Sequence, residues 1–180
     1  QYYNPDFHMM DGSKKQKEGY VSDVIEDVSE NWLSNRDPNK PFCLVIGHKA
    51  THRTWIPDAQ DMGKYDHITF PLPHNFYDNY TNREAAKVQD MTISKTMQMG
   101  YDLKMFGTEN EANKEGTIMR MNPEQRQKFD AYYGAVNADL KSKNLSGKEL
   151  IEWKYQRYMR DYLSTAASLD RNIGRTLDYL

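Results

Sequence analysis

The chain has 180 residues, enough for one domain with its own core and too few for two independent ones. Lys plus Arg is 24 against 26 Asp plus Glu, so the net charge of -2 supplies no field to gather nucleic acid or an anionic membrane. No apolar run reaches the roughly 18 residues a bilayer span needs, which argues against membrane insertion, and no N-terminal stretch reads as a signal peptide.

In chain order, Val21, Val24, Ile25, Val28, Trp32 and Leu33 recur at helical spacing with Ser22, Asp23, Glu26, Asp27 and Glu30 between them, which predicts a surface helix with one buried apolar stripe. The turn cluster Asn35 to Pro41 ends it, and the continuous apolar run Phe42-Cys43-Leu44-Val45-Ile46 follows as a strand buried on both faces. Cys43 then reads as a buried, inert thiol, and one cysteine makes no intrachain disulfide. A helix feeding a buried strand is half of an α/β unit, whose sites lie beyond the carboxyl ends of the strands.

From Pro57 to about Asn82 prolines, Asp, Asn and scattered aromatics predict a long irregular excursion forming a rim. Residues 84 to 105 read as helical, and Gly107 to Gly116 as a loop or flexible insertion. Ser146-Gly147-Lys148-Glu149 fits a capping box, so a long helix is expected to start there. Its stripe of Tyr162, Ala166, Leu169, Ile173, Leu177 and Leu180 is expected to pack against the sheet. Gln1 is no start methionine and Leu180 closes on no cap, so the chain reads as the interior of something longer, with residues 57–145 as its rim or lid.

Chemistry concentrates after the apolar run. His48, Lys49, His52 and Arg53 place two imidazoles and two cations within six positions, a set suited to holding a sulfate or phosphate ester, and an imidazole there can protonate a leaving oxygen. The plainer reading is a solvated strand end. Zinc is disfavoured: His48 and His52 have metalloprotease spacing, but Lys49 stands where the glutamate base belongs, and the segment leaves a strand. Trp55 can stack on a sugar face, although packing is the commoner use of such an aromatic.

Tyr2-Tyr3-Asn4-Pro5-Asp6-Phe7, Gly19-Tyr20-Val21-Ser22-Asp23, Lys40-Pro41-Phe42 leading to His48-Lys49-Ala50-Thr51-His52-Arg53, and Leu169-Asp170-Arg171-Asn172-Ile173-Gly174-Arg175, in this order, resemble type I sulfatases of the alkaline-phosphatase superfamily. Among these the chain is most similar to bacterial N-acetylglucosamine-6-O-sulfatases. The resemblance implies an α/β fold, part of a sheet flanked by helices, and sulfate-ester hydrolysis on glycosaminoglycan sugars. It makes His52 the residue that contacts sulfate and helps the leaving group depart, with His48, Lys49, Arg53 and Trp55 on the substrate. Many relatives carry proline where this chain has Thr51.

The resemblance further implies a formylglycine nucleophile and calcium. No cysteine or serine here sits in the required motif and none of the calcium pairs is recognisable, so both would lie outside this chain, which alone is expected to be inactive. The implied partners are a sulfated carbohydrate and the remainder of the parent chain, and the implied location is periplasmic or secreted. Two alternatives remain: a phosphodiesterase or phosphonate hydrolase of the same superfamily, and a non-catalytic protein that binds sulfated glycans.

Overall fold

A computed structural model describes residues 1–106 and 116–180; the reading of Gly107 to Gly116 as a loop falls almost wholly outside the described residues. The elements are β1 (Asp6–His8), β2 (Lys14–Gln16), α1 (Val21–Asn35), α2 (Glu84–Val88), α3 (Pro123–Lys143) and α4 (Gly147–Tyr179), with a 3₁₀ turn at Ile118–Arg120. β1 and β2 form an antiparallel hairpin in which Phe7 faces Lys15. Among the described residues no helix is long and apolar enough to cross a membrane.

The core is rich in aromatic rings with a polar end: Tyr2, Tyr3, Tyr20, Ile56, Leu103, Phe129 and Tyr133 are buried together. Tyr2 and Tyr20 stack at 6.2 Å while Tyr3 meets Tyr20 edge-on at 5.4 Å. Such rings bury large apolar area and still present a hydroxyl that can bond elsewhere. Gly19 enters this cluster at φ +126, a conformation L side chains rarely adopt, which brings its N–H and carbonyl to Asn4 at 2.8 Å each.

α1 starts and stops where expected, but its buried face is mixed. Val21, Val24 and Leu33 are inside with Ser22, Glu26 and Ser29, whereas Val28 and Trp32 are exposed. α4 departs further from expectation. Its buried residues are Lys154, Arg157, Asp161, Ser164, Thr165, Ser168 and Asn172, while Ile173, Leu177 and Leu180 of the apolar stripe face outward. The reason lies in what α4 packs on. Asn172 and Arg171 reach Asp23, Thr176 donates to Glu26, and Arg175 forks onto Glu30, so α4 lies along α1 in the same direction through charged and hydroxyl contacts.

Three further expectations are corrected. Residues 42–46 join no ladder among the described residues: Cys43 and Val45 are exposed, Leu44 and Ile46 half-buried, so Cys43 is a free exposed thiol. A doubly covered strand needs neighbours on both edges, and the described residues provide only the distant β1–β2 hairpin. Helix over 84–105 is limited to the five residues of α2; from Gln98 onward, bonds to Asp102 and the Gly100 carbonyl turn the chain instead. Ser146 caps α4 by position without a side-chain bond, because Gly147 takes φ +54. The capping box occurs at α3, where Asn122 accepts from the Gln125 N–H and Gln125 returns a bond to the Asn122 N–H.

Candidate functional site

The segment from His48 to Pro57 is two linked turns, closed by His52 N–H to the Lys49 carbonyl and Trp55 N–H to the His52 carbonyl, each at 3.0 Å. The Ala50–Thr51 peptide is cis and Trp55 adopts φ +52. A loop outside any ladder must satisfy its buried backbone carbonyls by other donors. Here six consecutive carbonyls accept side-chain bonds.

Tyr2 Oη donates to the carbonyl of His52, Tyr20 Oη to that of Ile56 at 2.9 Å, and Tyr3 Oη to that of Pro57 at 3.0 Å. Lys104 Nζ donates to the carbonyls of Thr54 at 2.8 Å and Trp55 at 2.9 Å. His52 Nδ1 lies 2.5 Å from the Arg53 carbonyl. Burial raises the ionisation of Tyr2, Tyr3 and Tyr20 far above the ordinary phenol range, so all three stay donors. The loop is thereby held from beneath by side chains 36 to 54 positions away, the three tyrosines upstream and Lys104 downstream.

The residues singled out in sequence fall into two groups. His52 and Arg53 are exposed, while Lys49, His48 and Trp55 are half-buried. A carbonyl can only accept, so His52 carries its proton on Nδ1, which leaves Nε2 to exchange a proton with anything bound in front of it. Arg53 forks onto Asp102 through Nε at 2.5 Å and Nη2 at 2.7 Å, and its guanidinium lies over the Tyr101 ring. Asp102 keeps Arg53 more strongly charged than usual.

Burial lowers the His48 pKa, with the charge of Glu26 opposing, and burial also lowers that of Lys49. Among the described residues, His48 Nδ1 is buried without a partner, as is Glu26 Oε2. Trp55 does not stand free: it packs edge-on against Tyr158 at 4.7 Å, and both line a cavity of about 340 Å3 with Arg53, Ile93 and Met97. That volume sits in the small-ligand range of about 300–1,000 Å3.

Sequence reading missed Asp102 and Lys104, which lie in a segment read as helix. Lys104 is buried and also bonds the Asp102 carbonyl at 2.9 Å and Asp161 at 3.0 Å. Two charges two residues apart inside an apolar stretch, Asp102-Leu103-Lys104-Met105, were the available signal. Among the described residues no group of three His, Cys, Asp or Glu side chains could hold a metal ion.

Over 186 aligned residues the chain is 44% identical to the N-acetylglucosamine-6-O-sulfatase of Bacteroides thetaiotaomicron, covering 99% of this chain and 33% of that protein. The chain is thus similar over almost its whole length to a sulfatase. Its structure superposes, with a TM-score of 0.91 and 44% identity, on a solved protein in complex with its substrate D-glucosamine-2-N,6-O-disulfate, across 99% of this chain and 37% of that one. The chain therefore carries a segment of an alkaline-phosphatase-like fold.

N-acetylglucosamine-6-sulfatases of goat (Capra hircus) and cattle (Bos taurus) are each 27% identical over 86 residues, which is 46% of this chain and 15% of theirs. This chain spans about a third of the length of the bacterial relative. No protein-family model matches it.

Proposed function

We propose that the protein containing this chain hydrolyses sulfate esters on carbohydrates, with 6-O-sulfated N-acetylglucosamine of glycosaminoglycans as the substrate class. The observation that carries the proposal is the pinned loop. It fixes the His52 tautomer with Nε2 available, beside Lys49 and Arg53, in a chain similar throughout to a sulfatase of that name.

In this reading His52 acts as the imidazolium, which keeps the Nδ1 proton on the Arg53 carbonyl and gives the Nε2 proton to the departing sugar oxygen, leaving the neutral ring, while Lys49, His48 and Arg53 face the anionic group. Trp55 and Tyr158 offer the sugar ring an aromatic wall. Formylglycine and calcium would be supplied from outside this chain, and the protein would work in the periplasm or be secreted, where glycosaminoglycans are met.

The test is sulfate release from 6-sulfated N-acetylglucosamine by the full-length protein, with matched phosphate mono- and diesters as controls. Loss of one positioned donor typically lowers kcat about 10²–10³-fold, and His52→Ala is expected to fall in that range. A His52→Ala protein with near-normal kcat would remove His52 from the chemistry. Faster turnover of the phosphate esters would favour the phosphodiesterase reading, and binding of the sulfated sugar without turnover would favour a glycan-binding protein.

A further inference from the structure

The catalytic reading leaves Asp102 and Lys104 without a role, yet they are among the most buried charges in the molecule, at 1% and 2% exposure. A buried charge persists only if it is paired and bonded. Asp102 is bonded on both oxygens: Oδ1 takes Arg53 Nε, and Oδ2 takes Arg53 Nη2 and the Gln98 N–H at 2.8 Å. Lys104 has three protons and four acceptors within 3.0 Å, so every donor is used and one is shared. Asp161 balances its charge and is itself held by Arg157 Nη2 at 2.6 Å and by the Tyr133 hydroxyl at 3.2 Å.

These contacts converge on three adjacent residues of the loop. Asp102 occupies two of the three nitrogens of Arg53, leaving Nη1 as the one with no partner among the described residues. Lys104 fixes the carbonyls on either side of the Trp55 amide, where the backbone is left-handed. Neither side chain reaches the exposed front of the site, because both are enclosed.

We propose that Asp102 and Lys104 are positioning residues of the substrate loop: Asp102 aims the free edge of Arg53 at the anionic substrate, and Lys104 holds the Thr54–Trp55 backbone that presents Trp55 to the sugar. The kinetic part rests on the sulfate-ester reading above. The geometric part does not.

The experiment uses the full-length protein with Arg53→Ala, Asp102→Asn and the double variant, assayed on 6-sulfated N-acetylglucosamine. If Asp102 works through Arg53, each single change raises KM by about tenfold with kcat within about threefold, and the double variant is no worse than Arg53→Ala alone. Multiplying effects, or an unchanged KM in Asp102→Asn, would overturn the assignment.

Amide hydrogen exchange is followed in parallel on Asp102→Asn and on Lys104→Met. Exchange of residues 52–56 is expected to accelerate about tenfold or more while α3 and α4 amides keep their protection. Uniform acceleration across the molecule would make both residues core supports and nothing more. Asp102→Asn preserves shape, so it carries the test if Lys104→Met does not fold. If the unaltered protein releases no sulfate from any ester, the functional reading fails, and the exchange pattern still decides whether the clamp exists.

Discussion

The run Phe42–Ile46 and the loop His52–Pro57 are near neighbours in the chain with opposite bonding. The first joins no ladder among the described residues, and Val45 is 88% exposed. In the second, six successive carbonyls are taken up by side chains: five by Tyr2, Tyr3, Tyr20 and Lys104, and one by the loop's own His52. The difference teaches that this segment encodes the local shape of the loop without a paired strand leading into it. A strand needs edges on which to pair, whereas this loop needs only phenols and an ammonium placed beneath it.

The comparison breaks first at Asp161, which serves Lys104, Arg157 and Tyr133 together. Breaking a buried ionic set by deleting one partner costs about 3–5 kcal/mol, so Asp161→Ala should lose that much in denaturant unfolding. A loss below about 1 kcal/mol would mean that the loop is not supported from the interior. Next comes Tyr20→Phe, which strands the buried carbonyl of Ile56 and should cost about 1–3 kcal/mol in the same measurement.

A smaller effect is expected with acid. Burial pushes the Asp61 carboxyl up, but the Arg171 guanidinium and the Ser168 hydroxyl outweigh it and hold the group below its ordinary 3.8. A carboxyl lower in the folded than in the unfolded chain adds stability that is present above 3.8 and is lost as the pH falls below it. Urea midpoints followed from pH 5 to pH 2 should therefore decline at the acid end, and Arg171→Met should flatten that part of the decline. The smallest effect belongs to the unpaired run. In this chain Val45→Ser should stay within about 0.5 kcal/mol, and a loss above about 2 kcal/mol would show residues 42–46 to be packed after all.

What could be read beforehand follows from which forces are local. The bounds of α1, the long terminal helix and the basic cluster are carried by periodicity, turn residues and adjacency, all visible over a dozen positions. The inverted burial of α4 was not legible. Ser164, Thr165, Ser168 and Asn172 look like a solvated face until α1 supplies Asp23 and Glu26 opposite that helix. α3 was also passed over, because its apolar and polar residues are spread around its circumference, with only Phe129 and Tyr133 buried. For the candidate site, the residues proposed to face substrate stand out in the sequence by their type. Those beneath it, Lys104 and Asp102, lie about 50 positions downstream, and their meaning depends on a fold.

Asn4 carries one more consequence, for anyone trimming the chain. Its amide nitrogen donates to the Arg120 carbonyl and to Gln125 Oε1, its oxygen takes the Gly19 N–H, and its own carbonyl receives the Arg120 guanidinium. Gln125 is the residue that completes the cap of α3. A truncation removing the first five residues would thus be felt as fraying more than a hundred positions away, and helix boundaries drawn from local sequence would give no warning of it. Expression boundaries for this protein are better set by that distant cap than by the nearest strand.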